Sequence, residues 1–187
     1  MAVSAIAPVI HSVHLYGRDE ALIQRLHGII VPAVHSGNSV LVICNAEHRK
    51  QLTSILGDSG IDCSTLEEQT RLRFRDTHEL LDLFMVEGFP DREKFFSLAG
   101  SLVDESKRSA WNAQRGVTVF GEMVSVLWEK GNHMAALQLE ALWNDLLYDR
   151  EFHLHCAYPK SLFTTGHDAA MLRAICDVHS HVVGHMA

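Results

Sequence analysis

The chain has 187 residues, of which 47% are hydrophobic and 21% are charged, and its formal net charge is −7 at pH 7 with neutral histidines. This length and composition suit one folded domain over residues 1–187 and exclude an intrinsically disordered chain. The negative charge argues against a nucleic-acid-binding surface, which needs a basic stripe.

Signals for export or membrane insertion are missing from the sequence. No apolar run approaches the ~20 residues of a membrane-spanning helix, and the N-terminal segment lacks the basic and apolar regions of a signal peptide. The cysteines show no framework spacing; they are Cys44, Cys63, Cys156 and Cys176. We therefore expect a cytoplasmic protein with reduced cysteines and no contact with a membrane.

The first half of the chain alternates short strand patterns with helical patterns. In order, these are strand 12–16, a helix from Asp19, strand 39–44, helix 46–56 and two short strand candidates, 61–63 and 72–74. Asp19 is expected to cap its helix and Pro32 to bend or end it. The continuous apolar run 39–44 is typical of a central parallel strand that is buried on both faces.

The second half continues this alternation. It contains a helix capped by Asp76, a helix starting at Pro90-Asp91, strand 117–120, helices 122–130 and 133–149, strand 152–157 and a helix capped by Asp168. Alternating strands and helices predict an α/β fold with a mostly parallel central sheet flanked by helices. The domain core is expected over residues 11–163, with a C-terminal helix over about 168–185.

Polar residues directly follow several of the predicted buried strands. They include Tyr16, Glu47, His48, Glu122 and Tyr158. Ligands of open parallel sheets bind beyond the carboxyl ends of the strands, so these positions are candidates for a binding site. For Glu122 an alternative is a first-turn acid that complements a helix dipole, and the sequence leaves both interpretations open.

Motifs for nucleotide hydrolysis and for nucleophilic catalysis are absent from the sequence. There is no GxxxxGK[ST] loop to hold the β- and γ-phosphates of a nucleotide. There is also no Gly-Xaa-Ser-Xaa-Gly motif, and no cysteine has a protease-like local signature. We therefore expect a protein that is not an enzyme.

Six of the thirteen histidines lie after residue 152, together with Cys156 and Cys176. Cys176 and His179 share a helical face, and His153 and His155 share a strand face, so either pair has metal-binding chemistry. Their spacing matches no standard zinc module, and the favoured interpretation is that they bind no metal. No cofactor is expected.

Four segments carry a resemblance to a known family. The longest is VTVFGEMVSVLWEKGNHMAALQLEALWNDL at 117–146, and the others are CAYP at 156–159, HLY at 14–16 and ICNAEHRKQL at 43–52. With these segments the chain resembles a MEDS domain, the methanogen/methylotroph DcmR-type sensory domain. The resemblance covers about residues 11–163.

The resemblance implies a fold and a role. The family is thought to share the three-layer fold of RecA/KaiC-like P-loop ATPases, with a degenerate nucleotide site. In that comparison Glu47 and His48 follow the second strand, and Glu122 follows the strand that carries the Walker B acid. The implied role is sensory, beside histidine kinase or DNA-binding modules, with small hydrocarbon derivatives as proposed ligands.

The sequence thus predicts a non-enzymatic sensory domain that binds a small organic ligand and signals to a partner such as a histidine kinase or a transcription factor. A mostly apolar cleft with a few polar groups would hold the ligand. The residues expected to line it are His14, Tyr16, Glu47, His48, Glu122 and Tyr158. Three alternatives stay open. The first is nucleotide binding without hydrolysis, and the second is a protein-interaction module that forms a homodimer or docks to a kinase. The third is a metal- or haem-linked sensor.

Overall fold

The computed structural model describes residues 10–112, 114, 116–164 and 168–184. Its strands are β1 (His11–Tyr16), β2 (Ser39–Cys44), β3 (Leu72–Asp76), β4 (Met85–Val86), β5 (Phe89–Pro90), β6 (Val117–Gly121), β7 (His153–Pro159) and β8 (His181–Val183). Its helices are α1 (Asp19–His35), α2 (Ala46–Asp58), α3 (Cys63–Glu68), α4 (Thr77–Phe84), α5 (Arg92–Ser109), α6 (Met123–Glu129), α7 (His133–Arg150) and α8 (Asp168–Asp177).

Six strands form a parallel sheet in the order β3-β2-β6-β7-β1-β8, and β4 and β5 form a separate antiparallel hairpin. The predicted α/β fold with a parallel central sheet is confirmed. Register pairs Ile43 with Gly121 and Tyr16 with Pro159. The carboxyl ends of β2 and β6 therefore meet at one edge of the sheet, as do those of β1 and β7.

Helices cover both faces of the sheet, which gives a three-layer sandwich. On one face, α4 to α7 enclose a core in which the ring of Phe95 packs edge-on against Trp143 with centroids 5.0 Å apart. On the other face, α1 to α3 bury a second core that includes Leu22 and Leu52. No helix in the described ranges is both long and apolar enough to span a membrane.

Several predicted helix starts are confirmed by side-chain capping. Asp76 accepts hydrogen bonds from the backbone N–H groups of His78 and Glu79, and Asp91 accepts one from Lys94. Each cap satisfies a donor that the first turn leaves unpaired. These starts are encoded locally, which is why the sequence located them.

Two predictions in the first half are wrong, and for Pro32 one of the two predicted effects on its helix is excluded. Residues 61–63 do not form a strand, because the carboxylate of Asp62 accepts the backbone N–H of Thr65 and thereby starts α3. Asp19 does not cap α1: it is the first helical residue, and Arg18 precedes it without a side-chain cap. Pro32 lies inside α1 and does not end it, since the helix continues to His35.

The C-terminal segment also differs from the prediction. The last helix ends at Asp177 rather than near residue 185, and β8 follows it. This strand pairs in parallel with β1, with Val13 beside Val182. Strand β8 is only three residues long, which is too short for a strand pattern to be identified in the sequence. The predicted cap by Asp168 depends on a side chain that is outside the described part of the structure.

Candidate functional site

Glu122 and His48 form a buried pair at the carboxyl ends of β6 and β2. Asn45 follows β2 and caps α2 by accepting the backbone N–H of His48 at 2.8 Å. This cap fixes His48 in the first turn of α2. Glu122 follows β6 and donates its backbone N–H to the carbonyl of Ile43 at 3.2 Å. Adjacent parallel strands therefore bring together residues that lie 74 positions apart.

The carboxylate of Glu122 connects the two strand ends. Its Oε1 accepts the backbone N–H of Asn45 at 2.5 Å, and its Oε2 accepts from His48 Nδ1 at 2.6 Å. Glu122 is 3% exposed and His48 is 5% exposed. Glu122 is also the N-cap residue of α6, but its side chain makes no capping hydrogen bond there. The carboxylate thus joins β6 to the start of α2.

A cavity of about 350 Å³ lies beyond the carboxyl end of β1. Its wall combines apolar side chains with polar and basic ones, among them His14, Tyr16, Leu22, Arg25, Lys160 and Val183. His14 is 3% exposed, and its Nδ1 is buried without a hydrogen-bond partner in the described part of the chain. A buried nitrogen of this kind is costly unless a further group bonds to it.

Helix α1 links the cavity to the buried pair. Residues Ala21, Leu22 and Arg25 of this helix line the cavity. At the start of the same helix, Asp19 Oδ2 lies 3.7 Å from His48 Nε2. A displacement of α1 by a molecule in the cavity would therefore also change the surroundings of His48.

Comparison with known proteins identifies the family. The sequence model described as MEDS, the MEthanogen/methylotroph, DcmR Sensory domain, matches residues 10–180. The chain belongs to the MEDS family. No curated protein matches it. The match includes all of the sheet up to the start of β8, the Glu122–His48 pair and the cavity wall apart from Val183 and Gly184. Membership of this family indicates a sensory or regulatory role.

Burial and neighbouring charges shift the pKa values of His48 and Tyr16 in this MEDS domain. The hydrogen bond to Glu122 raises the pKa of His48 above 6.5, against the opposing effect of burial, and the charges of Glu122 and Asp19 act in the same direction as that bond. Burial raises the pKa of Tyr16 well above 10, and the charge of Glu122 adds to this effect. Tyr16 therefore offers a neutral hydroxyl to the cavity.

We expect the His48–Glu122 pair to stabilise the fold most below about pH 6.5. Since the folded-state pKa of His48 is raised, its contribution is fully present below the unfolded value and is lost as the pH rises through the folded value. His48→Leu should lower the unfolding free energy by about 1.5–3 kcal/mol near pH 6, and by less above pH 8. Urea denaturation between pH 6 and 8.5 measures this difference.

The control for this series is His78→Leu. His78 is exposed at the start of α4, so its replacement should change stability by less than about 0.5 kcal/mol at either pH. A His48→Leu penalty that grows with increasing pH would contradict the ion-pair interpretation.

Two of the six predicted site residues lie away from the others. Glu47 is exposed on α2, where it accepts a hydrogen bond from Gln51 at 2.9 Å. Tyr158 is fully buried on the face covered by α7, where its hydroxyl donates to Glu140 Oε1 at 2.9 Å. The structure thus brings His14 and Tyr16 together at the cavity, and His48 and Glu122 together beside it.

The sequence interpretation did not include several residues that build these features. Arg25 and Lys160 line the cavity, and Asn45 and Asp19 contact the buried pair. Asn45 carried a usable signal, because an Asn directly after a buried strand and three residues before a histidine is a typical helix cap. Arg25 lies in the middle of a helix, and no local pattern distinguishes it from a solvated arginine.

Side chains with metal-ligand chemistry also gather on the face of the sheet that holds Tyr158. They come from β1, α7, β7 and the segment after α8, and their ligand atoms lie within 4.8 Å of one another: His11, Glu140, Cys156 and His179. All four residues are buried. His179 belonged to one candidate pair, which the sequence interpretation disfavoured as a metal site, and its neighbour in this group is Cys156 rather than Cys176.

Proposed function

We propose that this MEDS domain is a non-enzymatic sensor that binds a small organic ligand beyond the carboxyl end of β1 and signals to a partner regulator. A histidine kinase or a transcription factor is the kind of partner that suits this role. The family match supports sensing. The observation that carries the site is the cavity of about 350 Å³, because two of the predicted ligand-binding residues, His14 and Tyr16, line it.

The lining of the cavity favours a ligand with a short carbon skeleton and one polar or anionic end. Leu15, Leu22 and Val183 supply apolar surface for the skeleton. The unpartnered Nδ1 of His14 and the neutral hydroxyl of Tyr16 offer hydrogen bonds, and Arg25 adds positive charge. Small-molecule sites commonly combine mostly apolar walls with a few such polar groups. A simple oxidised hydrocarbon derivative, such as a short carboxylate, meets these requirements.

Helix α1 is the element that would transmit binding. It forms one wall of the cavity and places Asp19 near the His48–Glu122 pair. A ligand shifts a conformational equilibrium only if it binds the two states unequally. Binding that moves α1 relative to the sheet would satisfy this condition, and the exposed outer surface of α1 would present the change to a partner.

The polar groups of the site support binding rather than catalysis. Both oxygens of Glu122 are held by hydrogen bonds to Asn45 and His48. The raised pKa of Tyr16 keeps its hydroxyl protonated near neutral pH. A nucleophile needs an adjacent base or a lowered pKa, and Tyr16 shows the opposite shift.

Filling the cavity should abolish ligand-induced stabilisation. Gly17 lines the cavity, and a Cβ added there would meet nothing within 4 Å, so Gly17→Leu adds a large side chain at the cavity wall without a backbone clash. We expect a short alcohol, aldehyde or carboxylate to raise the melting temperature of the wild type. At 100 times Kd the gain is about 2.7 kcal/mol, which corresponds to roughly 5–10 °C for a chain of this size. The same ligand should leave Gly17→Leu unchanged.

Gly28→Leu is the matched control. Gly28 is exposed on α1, outside the cavity, and an added Cβ there also meets open space. It should keep the full response to the ligand. Equal stabilisation of Gly17→Leu and the wild type would contradict the site. Stabilisation by ATP or ADP alone would favour nucleotide binding, and concentration-dependent light scattering without any ligand response would favour an interaction module.

A further inference from the structure

A second constellation lies on the opposite face of the sheet from the ligand cavity. His11 starts β1, Glu140 lies in α7, Cys156 lies in β7 and His179 follows α8. All four side chains are buried, and their ligand atoms lie within 4.8 Å of one another. The two ends of the matched region, residues 10–180, meet at this point through His11 and His179.

Four of the six distances within this cluster match those around a tetrahedral metal ion. Glu140 Oε2 lies 3.4 Å from His11 Nε2, 3.4 Å from His179 Nε2 and 3.4 Å from Cys156 Sγ. Cys156 Sγ lies 3.5 Å from His11 Nε2. Zinc bonds of about 2.0–2.3 Å in a tetrahedron place neighbouring ligand atoms about 3.3–3.7 Å apart.

Both histidines are oriented with Nε2 towards the centre of the cluster. His179 Nδ1 donates to the carbonyl of Ile175 at 2.7 Å. His11 Nδ1 donates to Asn144 Oδ1 at 2.8 Å, and Asn144 is itself fixed because its Nδ2 donates to the carbonyl of Val178 at 3.0 Å. These bonds place the proton on Nδ1 and leave the lone pair on Nε2, as in metal-bound histidines whose other nitrogen is held by an outer partner.

The carboxylate and the remaining nitrogen complete this arrangement. Tyr158 donates its hydroxyl to Glu140 Oε1 at 2.9 Å, which leaves Oε2 directed at the histidines and the thiol. His179 Nε2 lies 3.4 Å from Oε2 but makes no well-formed hydrogen bond, and the His179 side chain is 0% exposed. A fully buried nitrogen without a hydrogen bond is a costly feature that a metal bond would remove.

We propose that His11, Glu140, Cys156 and His179 form a site for a divalent transition-metal ion, with zinc as the best match. Two imidazoles, one thiolate and one carboxylate are all zinc ligands. Four protein ligands close the coordination sphere, so the ion holds the fold together and leaves no position for a reacting water. Zinc displaces the proton of the Cys156 thiol when it binds.

The site has a route to solvent and a structural consequence. A groove of about 570 Å³ lies beside it and is lined by His11, Asn144 and His179. A bound ion would tie β1 to the segment after α8, so it would fix the edge of the sheet where β8 pairs with β1. The ion and the organic ligand would lie on opposite faces of the sheet, since the cavity lies on the α1 side.

Zinc and cobalt(II) are the probes for this proposal. The full chain without a histidine tag is stripped with a chelator and titrated with each metal. We expect one zinc per chain. We also expect a cobalt spectrum with a thiolate charge-transfer band and the strong visible bands of tetrahedral coordination. Cys156→Ala and His179→Gln should each weaken zinc binding more than 100-fold, and Asn144→Ala, which removes the outer hydrogen-bond partner of His11, should weaken it about 10–100-fold.

Cys176→Ala and His181→Gln are the matched controls, because both residues lie near the site in sequence but outside the four-residue group. They should bind zinc like the wild type. Zinc binding that survives Cys156→Ala and His179→Gln would overturn the proposal, and so would a folded wild type that binds no zinc. If Cys156→Ala fails to fold, the wild-type cobalt spectrum decides, since the absence of a thiolate band excludes Cys156 as a ligand.

Discussion

In metal-free protein, Glu140→Ala is expected to lower the free energy of unfolding by about 3–5 kcal/mol. This is the usual cost of removing one partner of a buried ion pair. Glu140 is fully buried. Burial alone would raise its pKa, but the adjacent His179 and His11 outweigh this effect and lower the pKa, so the carboxylate is ionised. Without it, the Tyr158 hydroxyl loses its acceptor, and the buried His11 and His179 lose the carboxylate that contacts both of them at 3.4 Å.

Asp145→Ala on the same helix is the control for this prediction. It also removes a carboxylate from an ion pair, here with Arg92, but both side chains are more than half exposed. Exposed pairs contribute about 0–1 kcal/mol, so this variant should unfold close to the wild type. Urea denaturation in the presence of a chelator compares the two variants. Similar losses for both would show that burial does not govern the Glu140 contribution.

The fold was predictable from the sequence wherever the signal was local. The strand Ser39–Cys44 is buried at all six positions, and its run of apolar residues indicated this directly. Asp76, Asp91 and Asn132 cap the helices that follow them. Errors arose where only a few residues carried the pattern, as at 61–63 and in β8, because a segment of three residues is too short for its periodicity to distinguish a strand from a helix.

The candidate site was predictable in its position but not in all of its members. The rule that ligands lie beyond the carboxyl ends of parallel strands led to His48 and Glu122, which the structure joins by a hydrogen bond. Glu47 precedes His48, but consecutive helical residues point in different directions, so one is exposed and the other is buried. Tyr158 shares its strand face with Cys156, and period-two alternation along β7 directs both away from the cavity.

The sequence drew attention to the C-terminal histidines and to Cys156, but it did not indicate that His11, Glu140, Cys156 and His179 come together. His11 and His179 lie at opposite ends of the matched region, and Glu140 and Cys156 come from a helix and a strand between them. Zinc modules are identified in sequences by short ligand spacings, and such spacings do not occur here. The sequence interpretation therefore paired His179 with Cys176, its neighbour along the chain, whereas the sheet places Cys156 beside it.

Acidification from pH 7 to pH 5 is expected to destabilise the fold by about 2–4 kcal/mol through His14 and His155. These histidines share the hydroxyl of Ser12, at 3.0 Å and 2.6 Å. Burial, followed by the charge of Arg25, lowers the pKa of His14 from 6.5 to about 4. Burial, followed by the proximity of His14 and His153, lowers the pKa of His155 to about 3. Below pH 6.5 the unfolded chain binds protons that the folded chain rejects, so stability falls as the pH falls.

The double variant His14→Asn/His155→Asn should lose most of this slope, whereas His78→Asn should keep it. Urea denaturation at half-unit steps from pH 7 to pH 5 measures both. His48 acts in the opposite direction and only at the upper end of this series: its folded-state pKa is raised, so its contribution changes above about pH 6.5 and is nearly constant below that value. A slope of wild-type size in the double variant would assign the acid sensitivity to other groups. A reduced slope would identify the hydrogen-bonded histidines beside the ligand cavity as the groups that must stay neutral for the domain to remain folded.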